Sequence, residues 1–597
     1  MSFSTIDLVI LGVYLVAMMA LGLWLSRSKD GDGGTQEYFL AGKSLPWWAI
    51  GASLIASNIS TEQILAMNGS GYEVGMAIAG YELLAALTLI IVAKFFLPIF
   101  IHKEIYTMPQ FLERRFDGRV RSVLSVFWVA LFVFVNITSV LYLGGLAIQS
   151  ILGVPLIVGI IGLVIYSAAF SIFGGLKAVV WTDVVQVVVL VIGGLIATYL
   201  VVSAVGDGSF LAGMSTIWEQ APERFDMVFD IDDTYVDTST GETKSAYDLL
   251  PGVTVIMGGM WIANLYYWGS NQYIIQRALA AKTLGEAQKG VAFAGLLKLG
   301  MPFIVVLPGI AGYVLGAEIE KADQIFPWVL NEHVIIGVKG LVMAALVAAV
   351  GSSISSMVNS ATTIFTLDIY RPLINKGQSE AHYVRVGKIV AAICLVIGAL
   401  IGPALDSLGQ VFQYIQEYTG FISPGVVAVF LFGMFWRRTT SNAALAVVIL
   451  AIPLSLGIRL GFPDVPFLDR MGITFLLCSA LLVIISLLDT GAVKEVSLEK
   501  DADPGPSGLR LGLIVSMIVI GGVTAVKILV EGVINPWVAV LTLSLLAVAG
   551  GLLLFTKERS DRNGVVYPSG LFQTSTMFNV SATAIVLVLA LIYAILW

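Results

Sequence analysis

The sequence predicts an all-α polytopic membrane protein with a core of two inverted halves, and three observations carry that prediction. The 597 residues are 58% hydrophobic and 12% charged, with a mean hydropathy of +0.91, whereas soluble domains run near ~45–50% apolar and ~25% charged. The apolar residues gather in long runs, each near the ~20 residues that one bilayer crossing requires. Two of these runs, five apart, are broken by polar residues in mid-span, the pattern of inverted repeats around a midplane site.

In chain order the apolar runs lie at 4–26, 47–71, 74–101, 122–149, 153–175, 179–204, 251–273, 288–316, 335–366, 386–407, 419–436, 441–459, 471–489, 510–531, 535–555 and 577–597, sixteen candidate spans. The first has no basic start and no small-residue cleavage site, and its basic residues, Arg27 and Lys29, follow it. It reads as a retained span rather than a secretory signal. With the N-terminus outside and one crossing per run, twenty-five of the 33 Lys and Arg fall on inner segments, Arg277 among them. Seven fall outside, Lys339 among them, and Lys298 alone lies in mid-membrane. Because Lys and Arg favour the cytoplasmic side, this predicts both termini outside; location in the cell membrane is expected from the function argued below.

The same reading divides the chain into a first peripheral span and inner loop (1–46), a first five-helix repeat (47–205), an acidic outer loop (206–250), a second five-helix repeat (251–438) and peripheral C-terminal helices (439–597). The last part includes an extra pair at 510–555 to which the sequence assigns no function. The outer loop, with Asp226, Asp230, Asp232, Asp233, Asp237, Glu242 and Asp248, reads as a solvated surface.

Composition also excludes function classes. A net charge of −7 gives no basic surface for nucleic acid, and so hydrophobic a chain is neither disordered nor a secreted disulfide scaffold. Cys394 and Cys478 both sit in apolar runs, as packing residues do. His102, His333 and His382 are far apart and near loop ends, which argues against haem or metal ligation. No nucleophile–base set, organic-cofactor motif or soluble output domain is visible, so an enzyme or sensor is the weaker reading.

The polar residues inside apolar runs need a reason, since an unsatisfied polar group in hydrocarbon costs several kcal/mol. The second run holds Ser57-Asn58-Ile59-Ser60-Thr61-Glu62-Gln63, and the seventh holds Asn264-Leu265-Tyr266-Tyr267-Trp268-Gly269-Ser270-Asn271-Gln272. Glu82 and Lys298 lie deep in the third and eighth. An isolated charge there costs at least ~2.5–3.5 kcal/mol, and the economical solution is a shared polar cavity in which each offsets the other. Gln63, Asn264 and Gln416 add amides that both donate and accept. Tyr266, Tyr267, Trp268, Tyr81 and Phe412 add flat apolar faces, a combination suited to a neutral polyhydroxylated ligand. The ninth run carries Gly351-Ser352-Ser353-Ile354-Ser355-Ser356. Such residues either permit close helix packing or, beside the carbonyls of a broken helix, make an oxygen cage for sodium.

At these residues the chain resembles the sodium/solute symporter family, in its sodium–glucose cotransporter branch. The matching segments are Tyr38-Phe39-Leu40-Ala41-Gly42-Lys43-Ser44-Leu45-Pro46-Trp47-Trp48, then Asn58-Ile59-Ser60 with Glu62-Gln63, Gly174 through Trp181-Thr182-Asp183, Trp261 to Arg277, and Phe412-Gln413-Tyr414-Ile415-Gln416-Glu417-Tyr418-Thr419-Gly420. The resemblance implies a five-plus-five inverted-repeat core of the leucine-transporter type. It implies a sodium site from the carbonyls of Ala56, Ile59 and Ala349 with the hydroxyls of Ser352 and Ser353. It implies a sugar held by Gln63, Glu82, Asn264, Lys298 and Gln416, with Tyr267 stacked on the ring as inner gate and Asn58 holding its hydroxyl. Met67, Tyr81 and Phe412 close the outer side, and Asp183 lies on the inward sodium path. One position departs: Ala85 stands where the resemblance calls for a sugar-contacting serine, which removes one hydrogen bond worth ~0.5–1.5 kcal/mol and leaves the sugar's identity open.

The expected function is sodium-coupled import of a neutral monosaccharide of the galactose/glucose type by alternating access, with sodium as the coupling ion and no organic cofactor. The alternative within the class is another small solute: myo-inositol, an amino acid or sialic acid. The expected partners are the small-molecule sugar and membrane lipid. The sequence leaves the number of sodium ions per cycle and the oligomeric state open.

Overall fold

The computed structural model describes residues 4–25, 35–60, 62–172, 175–407, 411–489 and 570–596, and these are almost wholly helical. The extra pair expected at 510–555 lies outside the described residues. Among the described residues nine helices are long and apolar enough to cross a bilayer, ten if the bent pair Leu284–Gly300 and Pro302–Val314 is taken as one. The expected sixteen spans are therefore not confirmed, and two physical features lower the count besides the undescribed pair. Interrupted spans break into pieces too short to qualify singly. Conversely, Gln63–His102 is one helical run of 40 residues, which at ~1.5 Å per residue would measure ~60 Å, twice the hydrocarbon thickness. It turns at Gly75, whose φ of +76° suits a residue without a Cβ.

The helices that build the centre are, in order, α1 (Thr5–Leu25), α2 (Trp47–Asn58), α3 (Met67–Val74), α4 (Gly80–Ile91), α5 (Gly118–Leu131), α6 (Thr138–Leu152), α7 (Gly175–Val205), α8 (Phe210–Gln220), α9 (Gly259–Leu265), α10 (Gln272–Leu279), α11 (Leu284–Gly300), α12 (Val338–Ile364), α13 (Val411–Gly420), α14 (Ser423–Phe435), α15 (Ser441–Gly461), α16 (Phe467–Leu488) and α17 (Thr576–Ile595). Both expected interruptions are present. The second span ends α2 at Ile59, where ψ swings to +95°, and resumes through a π-turn, Glu62–Ala66, into α3. The seventh ends α9 in a π-turn, Tyr266–Ser270, passes through extended Asn271 and resumes as α10.

The middle of the bundle is α12, packed on α7, α1 and α2 and buried for almost its whole length. Its small residues allow this, because Ala, Gly and Ser let backbones approach. On the other side α2 packs along α11, and α11 along α4. A Cβ on Gly51 would stand 2.7 Å from the Gly290 carbonyl, and one on Gly290 would stand 2.6 Å from that of Trp47. The bareness of these two glycines thus sets how closely the broken helix lies to the helix carrying Lys298. The last helix, α17, covers α11 and α4, and the bend after Gly300 falls at Met301–Pro302, where proline removes a helix donor.

The acidic loop is more ordered than its composition suggests. It contains α8 and a two-stranded antiparallel hairpin, β1 (Thr234–Val236) with β2 (Thr243–Ser245). The hairpin is fastened to the broken second span: the Thr238 amide donates to Glu73 Oε1 at 2.8 Å, and Arg224 donates to the Glu73 carbonyl.

Candidate functional site

The helix break in the second span places the first groups. The Ser60 N–H would extend α2 by bonding to the Ala56 carbonyl. Instead it donates to Gln63 Oε1 at 3.2 Å, so Gln63 caps its own break and the α2 end keeps a carbonyl aimed past its last turn. Across from that end lies α12. Ser353 donates to the Ser57 carbonyl at 3.2 Å, and Ala349, Ser352 and Ser353, spaced by three and four, share one face of α12. Ala56, Ile59, Ala349, Ser352 and Ser353 are all buried; the Ser353 hydroxyl meets the carbonyl end of the broken helix, and the Ser352 hydroxyl meets the Asp183 carboxylate.

Asp183 of α7 is fully buried next to this group. Its carboxylate accepts from Ser352, Ser53 and Ser57, the last at 3.3 Å. It also faces the Arg277 guanidinium at 3.5 Å. Arg277, which the sequence reading places on an inner segment, is deeply buried. It is 1% exposed and donates to Ser53 at 2.8 Å, to Ser356 and to the Tyr273 carbonyl. Lys339, expected outside, is buried as well and donates to the Asn331 carbonyl at 3.0 Å. The signal that was available for Arg277 is a polar stripe: Gln272, Gln276 and Arg277 fall on adjacent turns of α10 just after the break.

The second group surrounds a cavity of about 70 Å³. Lys298 of α11 donates to Glu82 of α4 and to Asn58 at the end of α2, with its ammonium 5.3 Å from the Trp268 ring centre. The shared polar cavity expected for these two charges is thus present. Asn58 in turn donates to the Tyr267 hydroxyl at 3.0 Å, which also accepts from Tyr273. Gln63, Met67, Tyr81, Glu82, Ala85, Asn264, Tyr267, Lys298 and Gln416 all line the cavity, and Gln416 stands beside the Tyr81 hydroxyl. Asn264 returns its amide N–H to the Met260 carbonyl at 3.1 Å, which leaves its oxygen on the side chain's outer end. The Phe412 side chain lies outside the described residues. Sequence reasoning quoted Asn271 and Thr419 without giving them a role and missed Asn136, Phe467 and Met471 on the wall, and for the last two no signal was available among so many apolar residues.

Glu82 and Lys298 are the only charged side chains on that wall among the described residues, and they neutralise each other. The cavity therefore offers hydrogen bonds and aromatic faces without net charge. The oxygen-rich cluster lies one residue along the chain from it, since Ser57 faces α12 while Asn58 faces Lys298. An oxygen-rich cluster so joined to an uncharged polar cavity is an arrangement that coupled transport can use. The family model described as the sodium:solute symporter family matches residues 38–451.

The chain belongs to the sodium:solute symporter family.

It is 50% identical over 504 residues to the sodium/glucose cotransporter of Vibrio parahaemolyticus, covering 81% of this chain and 90% of that one. It is 34% identical over 484 residues to sodium/myo-inositol cotransporter 2 of Mus musculus, covering 76% and 70%. Among solved structures it is similar to the substrate-bound, outward-open form of a sodium-coupled sialic acid symporter, at a TM-score of 0.72 and 24% identity, over 82% of this chain and 99% of that one. The fold of this symporter is accordingly the five-plus-five inverted-repeat type with peripheral helices, in a multi-pass membrane protein whose family uses sodium as coupling ion.

Proposed function

We propose that this symporter imports a neutral monosaccharide of the galactose/glucose type together with sodium, with both termini outside and residues 47–205 and 251–438 as the two repeats. The observation that carries the solute class is the cancelled charge in the cavity. A carboxylate solute would have to displace Glu82 from Lys298, whereas a sugar meets amides, a hydroxyl and rings. The Vibrio relative's name supports a hexose, and the myo-inositol relatives support a cyclic polyol as the second reading, because such a ring also carries hydroxyls without charge.

In the proposed cycle sodium is held by the carbonyls of Ala56, Ile59 and Ala349 and the hydroxyls of Ser352 and Ser353. This fixes broken α2 against α12 and favours the form open to the outside. The sugar then binds Gln63, Glu82, Asn264, Lys298 and Gln416, with Tyr267 beneath its ring, and Met67, Tyr81 and Phe412 close over it. Sodium departs past Asp183 when the inner concentration is low, and Tyr267 then releases the sugar. Each cycle with a neutral sugar moves positive charge inward, so a membrane potential contributes ~2.3 kcal/mol per charge per 100 mV. The test is uptake of labelled glucose, galactose and myo-inositol by proteoliposomes under an inward sodium gradient. Sodium-driven hexose uptake that quickens when the interior is made negative is expected. Uptake indifferent to sodium, or confined to a charged solute, overturns the reading.

A further inference from the structure

Two cavity-lining residues come from a helix outside the stretch that identifies the family. The family match ends at residue 451, while Phe467 and Met471 of α16 stand on the cavity wall. They lie one turn apart, at i and i+4, and so present one face.

The turn that carries them is held from three sides. A Cβ on Gly259 of α9 would stand 1.8 Å from the Leu468 carbonyl oxygen, so α9 and α16 meet backbone to backbone. Asp469 accepts from Thr254 at 2.5 Å, and Arg470 donates to Glu417 of α13 at 2.9 Å. Residues 468, 469 and 470 are thus each tied to a neighbour, and the remaining face of the turn is turned to the cavity. Met471 also abuts α13, where a Cβ on Gly420 would come within 3.0 Å of its Sδ.

We propose that Phe467 and Met471 form a size filter that selects among neutral cyclic solutes by the bulk of the substituents the ring carries. The inference rests on the neutral-solute reading above. The polar groups that hold a sugar come from the π-turn after α2 and from the core helices α4, α9, α11 and α13. They recognise hydroxyls that hexoses and inositols share. What differs between such solutes is the presence and size of ring substituents, and apolar wall atoms are sensitive to volume and indifferent to hydroxyl pattern. Because the turn is fixed to α9 and α13 together, its two side chains keep their place relative to the solute groups on both.

The experiment measures inhibition of labelled hexose or myo-inositol uptake, whichever the wild type carries, by the free solutes and by methyl and phenyl β-glycosides in proteoliposomes under an inward sodium gradient. Met471→Ala is expected to lower the inhibitory concentration of the phenyl glycoside relative to the methyl glycoside at least about fivefold, within the range that pocket volume commands. Gly420→Ala, which presses Met471 away from α13, is expected to shift the same ratio in some direction from wild type. Met471→Leu, of nearly equal volume, is expected to keep it. Sodium activation should be unchanged in all three. An unchanged ratio in Met471→Ala and in Phe467→Leu, with folded protein and normal sodium activation, overturns the filter while leaving the neutral-solute reading intact. Absence of sodium-driven uptake of every one of these solutes by the wild type overturns both.

Discussion

The buried pair Glu82–Lys298 permits a quantitative test. The Lys298 side chain is wholly inaccessible and that of Glu82 is 4% exposed, so neither charge has water to turn to if its partner is removed. Lys298→Met leaves the Glu82 carboxylate facing no cation on the cavity wall. Glu82→Gln leaves the ammonium with amide oxygens and the Trp268 ring face but without a counter-charge. Breaking a buried pair from one side costs ~3–5 kcal/mol, whereas replacing both charges by neutral groups of like volume is often neutral or stabilising by ~1–4 kcal/mol. If the two residues acted independently, the double variant would lose ~6–10 kcal/mol, twice either single loss. The paired geometry predicts instead that Lys298→Met/Glu82→Gln is more stable than either single variant, with a coupling energy above ~3 kcal/mol. The assay is reversible unfolding of the four proteins in mixed micelles, with uptake measured in parallel. Uptake should be lost in all three variants, because both side chains line the cavity. Additive losses in the double variant would refute the reasoning, since they would mean that the two charges are satisfied separately.

Three further outcomes follow from other contacts. Ser353→Ala removes the hydroxyl that faces the Ser57 carbonyl and is expected to abolish the rise of uptake with sodium; an activation curve like that of the wild type would remove Ser353 from the ion site. Gly259→Ala puts a methyl 1.8 Å from the Leu468 oxygen and is expected to destabilise the protein by several kcal/mol through overpacking, ~1–3 or more, read as loss of the monodisperse peak on heating; unaltered heat resistance would mean that α9 and α16 can part freely. In the outer hairpin, burial pushes the Asp237 carboxyl up, but the Lys244 ammonium at 2.6 Å and donors from Ser239 and Thr240 outweigh it and hold it well below the usual 3.8. A depressed folded value means stability that is present above the unfolded value and is lost as pH falls through the folded one. Hydrogen exchange over residues 234–245 should therefore be slow at neutral pH and quicken only in strong acid in the wild type, and should already be quick at neutral pH in Asp237→Asn; equal protection in the two proteins at neutral pH would contradict this.

The parts legible in the sequence were those where lipid leaves few solutions. Two lone charges in separate apolar runs have one inexpensive arrangement, and Glu82 and Lys298 adopt it. Polar residues in mid-span forced the breaks at Ile59–Ser60 and at Asn271, because a continuous helix in hydrocarbon has no use for them. The span count was less legible, since hydropathy does not distinguish a turn at Gly75 from an ordinary helix residue. The burial of Arg277 was hidden for a related reason. A charge near the end of an apolar run ordinarily lies in a loop, and only the re-entry of α10 after the break, with Ser53, Ser356 and Asp183 converging on it, makes a buried position affordable. Phe467 and Met471 left no trace, because in a chain this apolar the identity of one more hydrophobic side chain says nothing about which cavity it faces.

The end of α2 suggests how the two proposed sites are coupled. Ser57 accepts from Ser353 at its carbonyl, donates its hydroxyl to Asp183 and lies 3.3 Å from the Ser356 hydroxyl, while Asn58, the next residue, donates its amide to Tyr267 and accepts from the Lys298 ammonium. Adjacent residues near a helix end point in different directions, and a displacement of one is passed in part to the other through the rigid peptide unit that joins them. A cation that draws the Ala56 and Ile59 carbonyls toward α12 must therefore shift Asn58 against Lys298 and Tyr267, which changes the groups a sugar meets. The Ser60 N–H on Gln63 Oε1 extends the link, since a sugar that engages Gln63 acts on the capping group that keeps the Ala56 carbonyl available. Under the proposed assignment the coupling needs no long path through the bundle. It resides in the run from Ala56 to Ser60 and in Gln63, and each ligand stabilises the broken conformation on which the other depends, as reciprocal linkage demands.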